Sequence, residues 1–414
     1  MTNNFETELK TKYDFRNEVL DVIIGGKSTL DSSSSFQVKS IEEADHFIRN
    51  YGYDLDNPIE NAELLGNYHE ALNFIRKYFL QPENPDGLKL EVPRKIFELH
   101  DLRQLFLMAS YIQPIQSTEI QNHLLGDWAC ALLKVMHTIA HIDKDLRASY
   151  FKDIQKQIFD RFYKLIHRDS EGHLFLGENA SDSQRVNLVA FETKPKKSRE
   201  SIILKLLHKS ENVAEDIFDR VGIRFITESR FDALCLIKYL KDKMIIMTPN
   251  LKPSRSRNTL IHLEEFRSQL NPLLAKIENG KITEAELISQ LELAAHPPSR
   301  NSDNPHTSEF YRAIQFTCRQ LIKLQNPIYE EIKALKIAVK SKPVSEDLSK
   351  MIERIELSHI QREIRFFYPF EVQIMDKQSA EENEKGRSAH SQYKRAQVIT
   401  ALHRVMGNLV NATR

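Results

Sequence analysis

Cysteine is scarce in this chain of 414 residues: Cys130, Cys235 and Cys318 lie far apart, in mostly apolar surroundings, and form no CxxC pair. Such spacing argues against a disulfide framework or a thiolate zinc site and fits buried thiols in a reducing compartment. Glycine is sparse as well, at 12 residues, while leucine, isoleucine, lysine and glutamate are plentiful, a balance that favours helices. Net charge is absent, because 58 basic residues meet 58 acidic ones. That removes any global electrostatic case for nucleic acid or an anionic membrane and leaves only local patches. No apolar run approaches the ~20 residues that cross a bilayer. The opening Met-Thr-Asn-Asn-Phe-Glu-Thr-Glu lacks a basic segment followed by an apolar one, so no secretory signal is expected. These absences together predict a cytoplasmic protein without membrane partners.

The length predicts two or three domains at about 100 to 200 residues each. Residues 1–182 read as an all-α domain. A loose helix runs from Glu6 to Ile24, and Ser40 with Glu43 resembles a capping box before the next. Helical periodicity then recurs over Glu63–Leu80, Arg94–Ile112 and Glu119–His141, with Pro82, Pro85 and Pro114 as breakers. Within the last of these, His137 and His141 share a helix face near Asp143, the spacing a metal site needs, although no Glu follows His137 and the flanking apolar residues make a packed helix the stronger account. From residue 183 the character changes. Asn187–Phe191 reads as a strand, Lys194–Lys197 as a basic loop, and Ser198 as the N-cap of a helix through His208. Lys197, Ser201 and Lys205 recur every fourth residue on that helix, a plausible polyphosphate cradle. Val221–Thr227 and Met244–Thr248 read as strands, with a helix over Phe231–Lys243 between them. Helical insertions follow near 258–300 and 327–362.

Phe370-Glu-Val-Gln-Ile-Met-Asp376 alternates: Phe370, Val372 and Ile374 line one face of a strand, Glu371 and Gln373 the other. One face is expected to pack and the other to be free for chemistry. After Asp376 a charged run containing Glu384, His390 and Lys394 reads as a helix interrupted by Gly386.

Four groups of residues, spread with gaps over about residues 187 to 400, resemble the nucleotide pyrophosphokinase domain of the RelA/SpoT-type (p)ppGpp synthetases. Glu371, Gln373 and Ile374, then Glu384, Gly386, Ala389-His390 and Tyr393-Lys394, are similar to that family's closing signature. Lys197, Ser201, Ile202 and Lys205 match its ATP-phosphate loop, and Asp219, Gly222 and Arg224 match its Asp-x-x-Gly-x-Arg motif. Tyr311 aligns with the tyrosine that stacks on the acceptor guanine, with Gln315 where the family has histidine. The departures are specific. Met375 and Asp376 replace the family's Arg-Thr, Pro195 stands at its leading arginine, and its guanosine-site motif is not intact.

The resemblance implies an α+β protein: an all-α N-terminal domain, residues 1–182, followed by a nucleotidyltransferase-like mixed sheet domain, residues 183–414. It also implies transfer of the β,γ-pyrophosphate of ATP to the 3′-hydroxyl of GDP or GTP, the alarmone chemistry of the stringent response. Asp219 and Glu371 would be catalytic and bind Mg2+. Lys197, Ser201 and Lys205 would neutralise phosphates, Arg224 hold the donor and Tyr311 stack on the acceptor, with Gln373 and His390 completing the nucleotide site. Two alternatives stay open: the same fold modifying another acceptor, such as a tRNA 3′ end, or a catalytically inactive nucleotide-binding or scaffold protein. The N-terminal domain would then receive a tRNA or a protein regulator.

Overall fold

The computed structural model describes residues 24–25, 28, 30, 38–111, 119–194, 197–208, 220–298, 311–341, 345–385 and 390–412. In chain order the helices and strands are α1 (Ile41–Tyr51), α2 (Pro58–Phe79), α3 (Arg94–Phe97), α4 (Leu102–Ala109), α5 (Glu119–Asp143), α6 (Phe151–Tyr163), β1 (Ile166–Arg168), β2 (Leu174–Leu176), β3 (Val186–Thr193), α7 (Arg199–His208), β4 (Gly222–Thr227) and α8 (Arg230–Asp242). They continue with β5 (Arg257–Asn258), α9 (Leu263–Glu278), α10 (Glu284–Ala294), β6 (Ile314–Gln325), α11 (Pro327–Ser341), α12 (Glu346–Glu353), β7 (Glu363–Asp376), α13 (Lys377–Lys385) and α14 (His390–Ala412). The fold is α+β. No helix among the described residues is long and apolar enough to cross a membrane.

The chain forms two compact units that are not consecutive in sequence: residues 1–148 with 197–217 and 389–414, and residues 149–196 with 218–388. This division departs from a boundary at residue 182. Residues 149–182, expected among the N-terminal helices, carry α6 and the β1–β2 hairpin and join the sheet unit. Residues 197–217 and 389–414, expected with the sheet, join the helices.

The helical unit is built from locally capped helices. Ser40 accepts the Glu43 N–H at the start of α1, while Glu43 reaches back to the Lys39 N–H rather than to Ser40. Asn57 caps α2 ahead of Pro58, which needs no N–H partner there. The helix expected over Arg94–Ile112 is broken: Leu99-His100-Asp101 separates α3 from α4, and Asp101 takes the Arg103 N–H as a new N-cap. Trp128, Tyr68 and Phe79 are fully buried at the centre of this unit's core, which also holds Ile202–Leu204 and Leu206–Leu207 of α7 and Ala401–Leu402 of α14. Polar ties fix α7 to its unit, since Arg199 bridges Glu70 and Asp143, and Glu200 accepts from Lys77 and Tyr78. The helix expected from Glu6 to Ile24 lies outside the described residues apart from its last position.

On α5 the rings of His137 and His141 are 4.3 Å apart between centroids, and His137 Nδ1 shares a 2.7 Å hydrogen bond with the Tyr51 hydroxyl. Burial, with His141 beside it, holds the His137 pKa down to about 4. Folded His137 thus stays neutral where the unfolded chain, with a histidine pKa near 6.5, takes up a proton. Stability should fall as pH drops from about 6.5 to about 4, by on the order of 2–3 kcal/mol, and level off below that. Urea unfolding at pH 7 and pH 4.5, for the wild type and His137→Gln, measures this contribution. An equal pH dependence in both proteins would contradict it.

The sheet unit holds one seven-stranded mixed sheet in the order β1-β2-β3-β4-β7-β6-β5. Only β4 and β7 run parallel; the other neighbours are antiparallel. The alternation in β7 appears, but the face expected to be free is covered too, since Glu371, Gln373 and Met375 are buried. Phe370, Val372 and Ile374 are fully buried in the unit's main core, with Ile223 and Phe225 of β4 and Phe316 of β6 in register beside them. Met244–Thr248, expected as a strand, is instead a turn entering a 3-10 segment. Met244 adopts φ +54, and the N–H groups of Ile245 and Ile246 both reach the Leu240 carbonyl at the end of α8. A four-residue apolar run caps a helix here as readily as it would enter a sheet. α8 starts at a full capping box, Ser229 with Asp232, and α10 at another, Thr283 with Glu286.

Candidate functional site

The face of the sheet opposite the main core is polar at its centre, and register explains why. Gly222 pairs with Glu371 and Arg224 with Gln373 along β4 and β7, while Thr317 and Gln315 of β6 face the same two residues from the other side. Glu192 of β3 lies opposite Arg224. Strand alternation thus places Glu192, Arg224, Gln373 and Gln315 in one row, and Gly222, Glu371 and Thr317 in the next.

Glu371 is 8% exposed and has one donor on each carboxylate oxygen. Lys194 Nζ stands 2.5 Å from Oε2, and Gln315 Nε2 donates to Oε1. Lys194 lies one residue beyond β3, where its own N–H bonds the Gly222 carbonyl, and its stem runs across Gly222. A Cβ at position 222 would stand 2.5 Å from Lys194 Cδ and 3.0 Å from Cγ, so glycine is what lets the lysine reach the glutamate. Gly222→Ala should displace that stem and cost about 1–3 kcal/mol through overpacking and loss of the pair. Chemical denaturation measures the change, and an unaltered stability would mean that the lysine re-routes freely.

The neighbouring row is only partly satisfied. Arg224 Nη1 pairs with Glu192 Oε2 at 3.1 Å, yet its buried Nε has no partner, nor does Gln373 Oε1. Tyr311 is half-buried in a small apolar cluster with Ile226, Ala313, Met375 and Ala380. Burial pushes its phenol up to about 12, with Arg224 pulling against that rise and Glu371 adding to it. Met375, which stands where the resembled family has arginine, is 3% exposed in this cluster and is one of its core residues. Asp376 is buried next to Arg230, whose Nε is 3.7 Å from Oδ1.

The expected site residues therefore separate into three groups. Glu371, Gln373, Arg224 and Tyr311 come together on the sheet unit. Lys197, Ser201 and Lys205 belong to the helical unit, where Ser198 Oγ accepts the Ser201 N–H at the start of α7, as an N-cap should. Asp219 lies outside the described residues, and of His390 only the backbone, at the first position of α14, is described. Lys194, Gln315 and Glu192 were not singled out as site residues. Their signals are alternation within β3 and β6, for Gln315 its place where the resembled family has histidine, and for Lys194 a basic residue at a strand end.

The described residues do not fit a bound magnesium ion as they stand. Both Glu371 oxygens already accept side-chain hydrogen bonds, and no three His, Cys, Asp or Glu side chains among the described residues converge on one point. The α+β fold and this site define a mixed sheet with a charged, half-buried polar face. Comparison with protein families, with curated proteins and with solved structures finds no match for this chain.

Proposed function

We propose that this polar face is the centre of a divergent pyrophosphokinase similar to the (p)ppGpp synthetases, on a nucleotidyltransferase-like sheet, which transfers the β,γ-pyrophosphate of ATP to the 3′-hydroxyl of GDP or GTP. One observation carries the reading. The parallel pair β4–β7 sets Gly222 and Arg224 directly beside Glu371 and Gln373, so two motifs more than 140 residues apart in sequence meet on one face. The acceptor 3′-oxygen attacks the β-phosphorus, the bridge from the β-phosphorus to the α-phosphate breaks, and AMP leaves with the bonding pair. The hydroxyl proton passes to the Glu371 carboxylate, the buried base on this face. Lys194 and Arg224 supply positive charge for the phosphates, and Gln373 Oε1 offers an acceptor to a ribose hydroxyl. Tyr311 supplies the aromatic face for the acceptor base.

Incubating the protein and magnesium with γ-labelled ATP and, separately, GDP, GTP or tRNA tests the reading. Label should arrive on GDP or GTP. Label on the tRNA 3′ end instead would move the assignment to that acceptor. Nucleotide binding with no transfer to any of the three would overturn the enzymatic reading in favour of a binding or scaffold protein.

A further inference from the structure

Lys194 and Glu371 hold each other in the structure, yet the proposed chemistry needs them apart, one on phosphate and one on a hydroxyl. Their surroundings make the two partners unequal. Glu371 is in the interior of β7, its N–H on the Val221 carbonyl, its Oε1 held by Gln315 and its side chain 11% exposed. Lys194 is past the end of β3, its side chain twice as exposed at 23%, and its flexible stem crosses a residue that has no side chain to block it. If one partner moves, it is the lysine. A triphosphate brings several negative charges against the single charge of the carboxylate, and an ammonium on a long stem binds phosphate as a mobile point charge. Arg224, by contrast, stays tied to Glu192 on a strand and has a buried Nε still without a partner on the same face.

We infer that the Lys194–Glu371 pair is a latch: the polyphosphate of the donor draws Lys194 away from Glu371, so that donor binding and unmasking of the carboxylate are a single event. The inference rests on the nucleotide reading above and deepens it. With the latch shut, the Glu371 oxygens are both occupied and no acceptor hydroxyl is activated. The donor therefore has to bind before the acceptor reacts, which guards the site against idle proton transfer. Lys194 is in this sense a positioning residue for Glu371 as well as a phosphate ligand.

A double-mutant cycle on the full chain tests it, using calorimetric binding of a non-hydrolysable ATP analogue and of inorganic tripolyphosphate to the wild type, Glu371→Gln, Lys194→Met and the double variant. Glu371→Gln should tighten binding of both ligands about tenfold when Lys194 is present, because the lysine is no longer held back, and by less than about twofold when Lys194 is methionine. The same gain in both backgrounds would mean simple charge repulsion by Glu371 and would overturn the latch. Should Lys194→Met alone fold poorly, the double variant, which leaves no buried charge unpaired, is compared with Glu371→Gln, and a loss of about tenfold or more is required. The two levels of the argument fail separately. If tripolyphosphate follows the predicted pattern and the ATP analogue does not bind, the latch holds and the nucleotide reading falls. If the ATP analogue binds all four proteins alike, the reading survives and the latch falls. No binding of either ligand to the wild type overturns both.

Discussion

Replacing Glu371 by glutamine should lower pyrophosphate transfer by about 10²- to 10⁴-fold, the range set by loss of a positioned general base. The substitution keeps the shape of the side chain, so Gln315 still finds an amide partner at 371 while Lys194 loses the charge that holds it, and the fold should survive. What disappears is the charge that takes up the hydroxyl proton. The rate of label transfer from γ-labelled ATP at saturating acceptor measures the effect, with thermal unfolding as the control for fold. Because the same variant should bind ATP more tightly, a fall in turnover with a fall in donor KM is the expected signature. Transfer within about tenfold of the wild type would remove Glu371 from the chemistry.

Replacing Phe370 by alanine should be the most destabilising of these changes, by about 3–5 kcal/mol. Phe370 is fully buried in the strand that carries Glu371, and its ring meets Phe162 of α6 edge-on, with centroids 5.9 Å apart, while Phe162 in turn meets Phe225 of β4 at 6.0 Å. The alanine leaves a cavity beneath the polar face and removes an aromatic contact worth about 1 kcal/mol beyond its area. Guanidinium unfolding followed by tryptophan fluorescence and by circular dichroism separates the units, because the single tryptophan, Trp128, lies in the helical one. The transition of the sheet unit should move to lower denaturant. Phe370→Leu, which keeps most of the volume, should cost less than about 1.5 kcal/mol. A Phe370→Ala loss below about 1 kcal/mol would contradict the packing described.

How much of this was legible in the sequence depends on the range of the force involved. Alternation in Phe370–Asp376 reports which side chains share a face, because period two is a local property of a strand; that Glu371, Gln373 and Met375 are buried as well depends on what covers that face and is not local. Caps such as Ser40 and Ser198 sit next to the groups they satisfy and are legible for the same reason, whereas the caps at Ser229 and Asp101, and with Asp101 the break between α3 and α4, are seen only in the structure. A turn stands at Met244–Thr248 where a strand is expected, because a short apolar run carries no period. Unit membership was illegible at the ends. Ile202–Leu204 and Leu206–Leu207 of α7 are simply apolar, and nothing local tells that they bury with the N-terminal helices.

Site residues divide in the same way. Glu371, Gln373 and Arg224 stood out through motif and alternation, and the register of β4 on β7 brings them together. Lys194 did not, because its role depends on a glycine 28 residues downstream whose missing side chain opens its path to Glu371. Gln315 drew notice only as a departure from histidine, and its bond to Glu371 is a cross-strand fact.

The most direct measurement follows both halves of the donor at once. Wild-type protein is given magnesium, α-labelled or γ-labelled ATP, and GDP or GTP, and the products are separated. The account predicts AMP as the α-labelled product, formed one for one with a γ-labelled acceptor carrying a 3′-pyrophosphate. ADP in place of AMP, or nucleotide that binds and comes back unchanged, would contradict it.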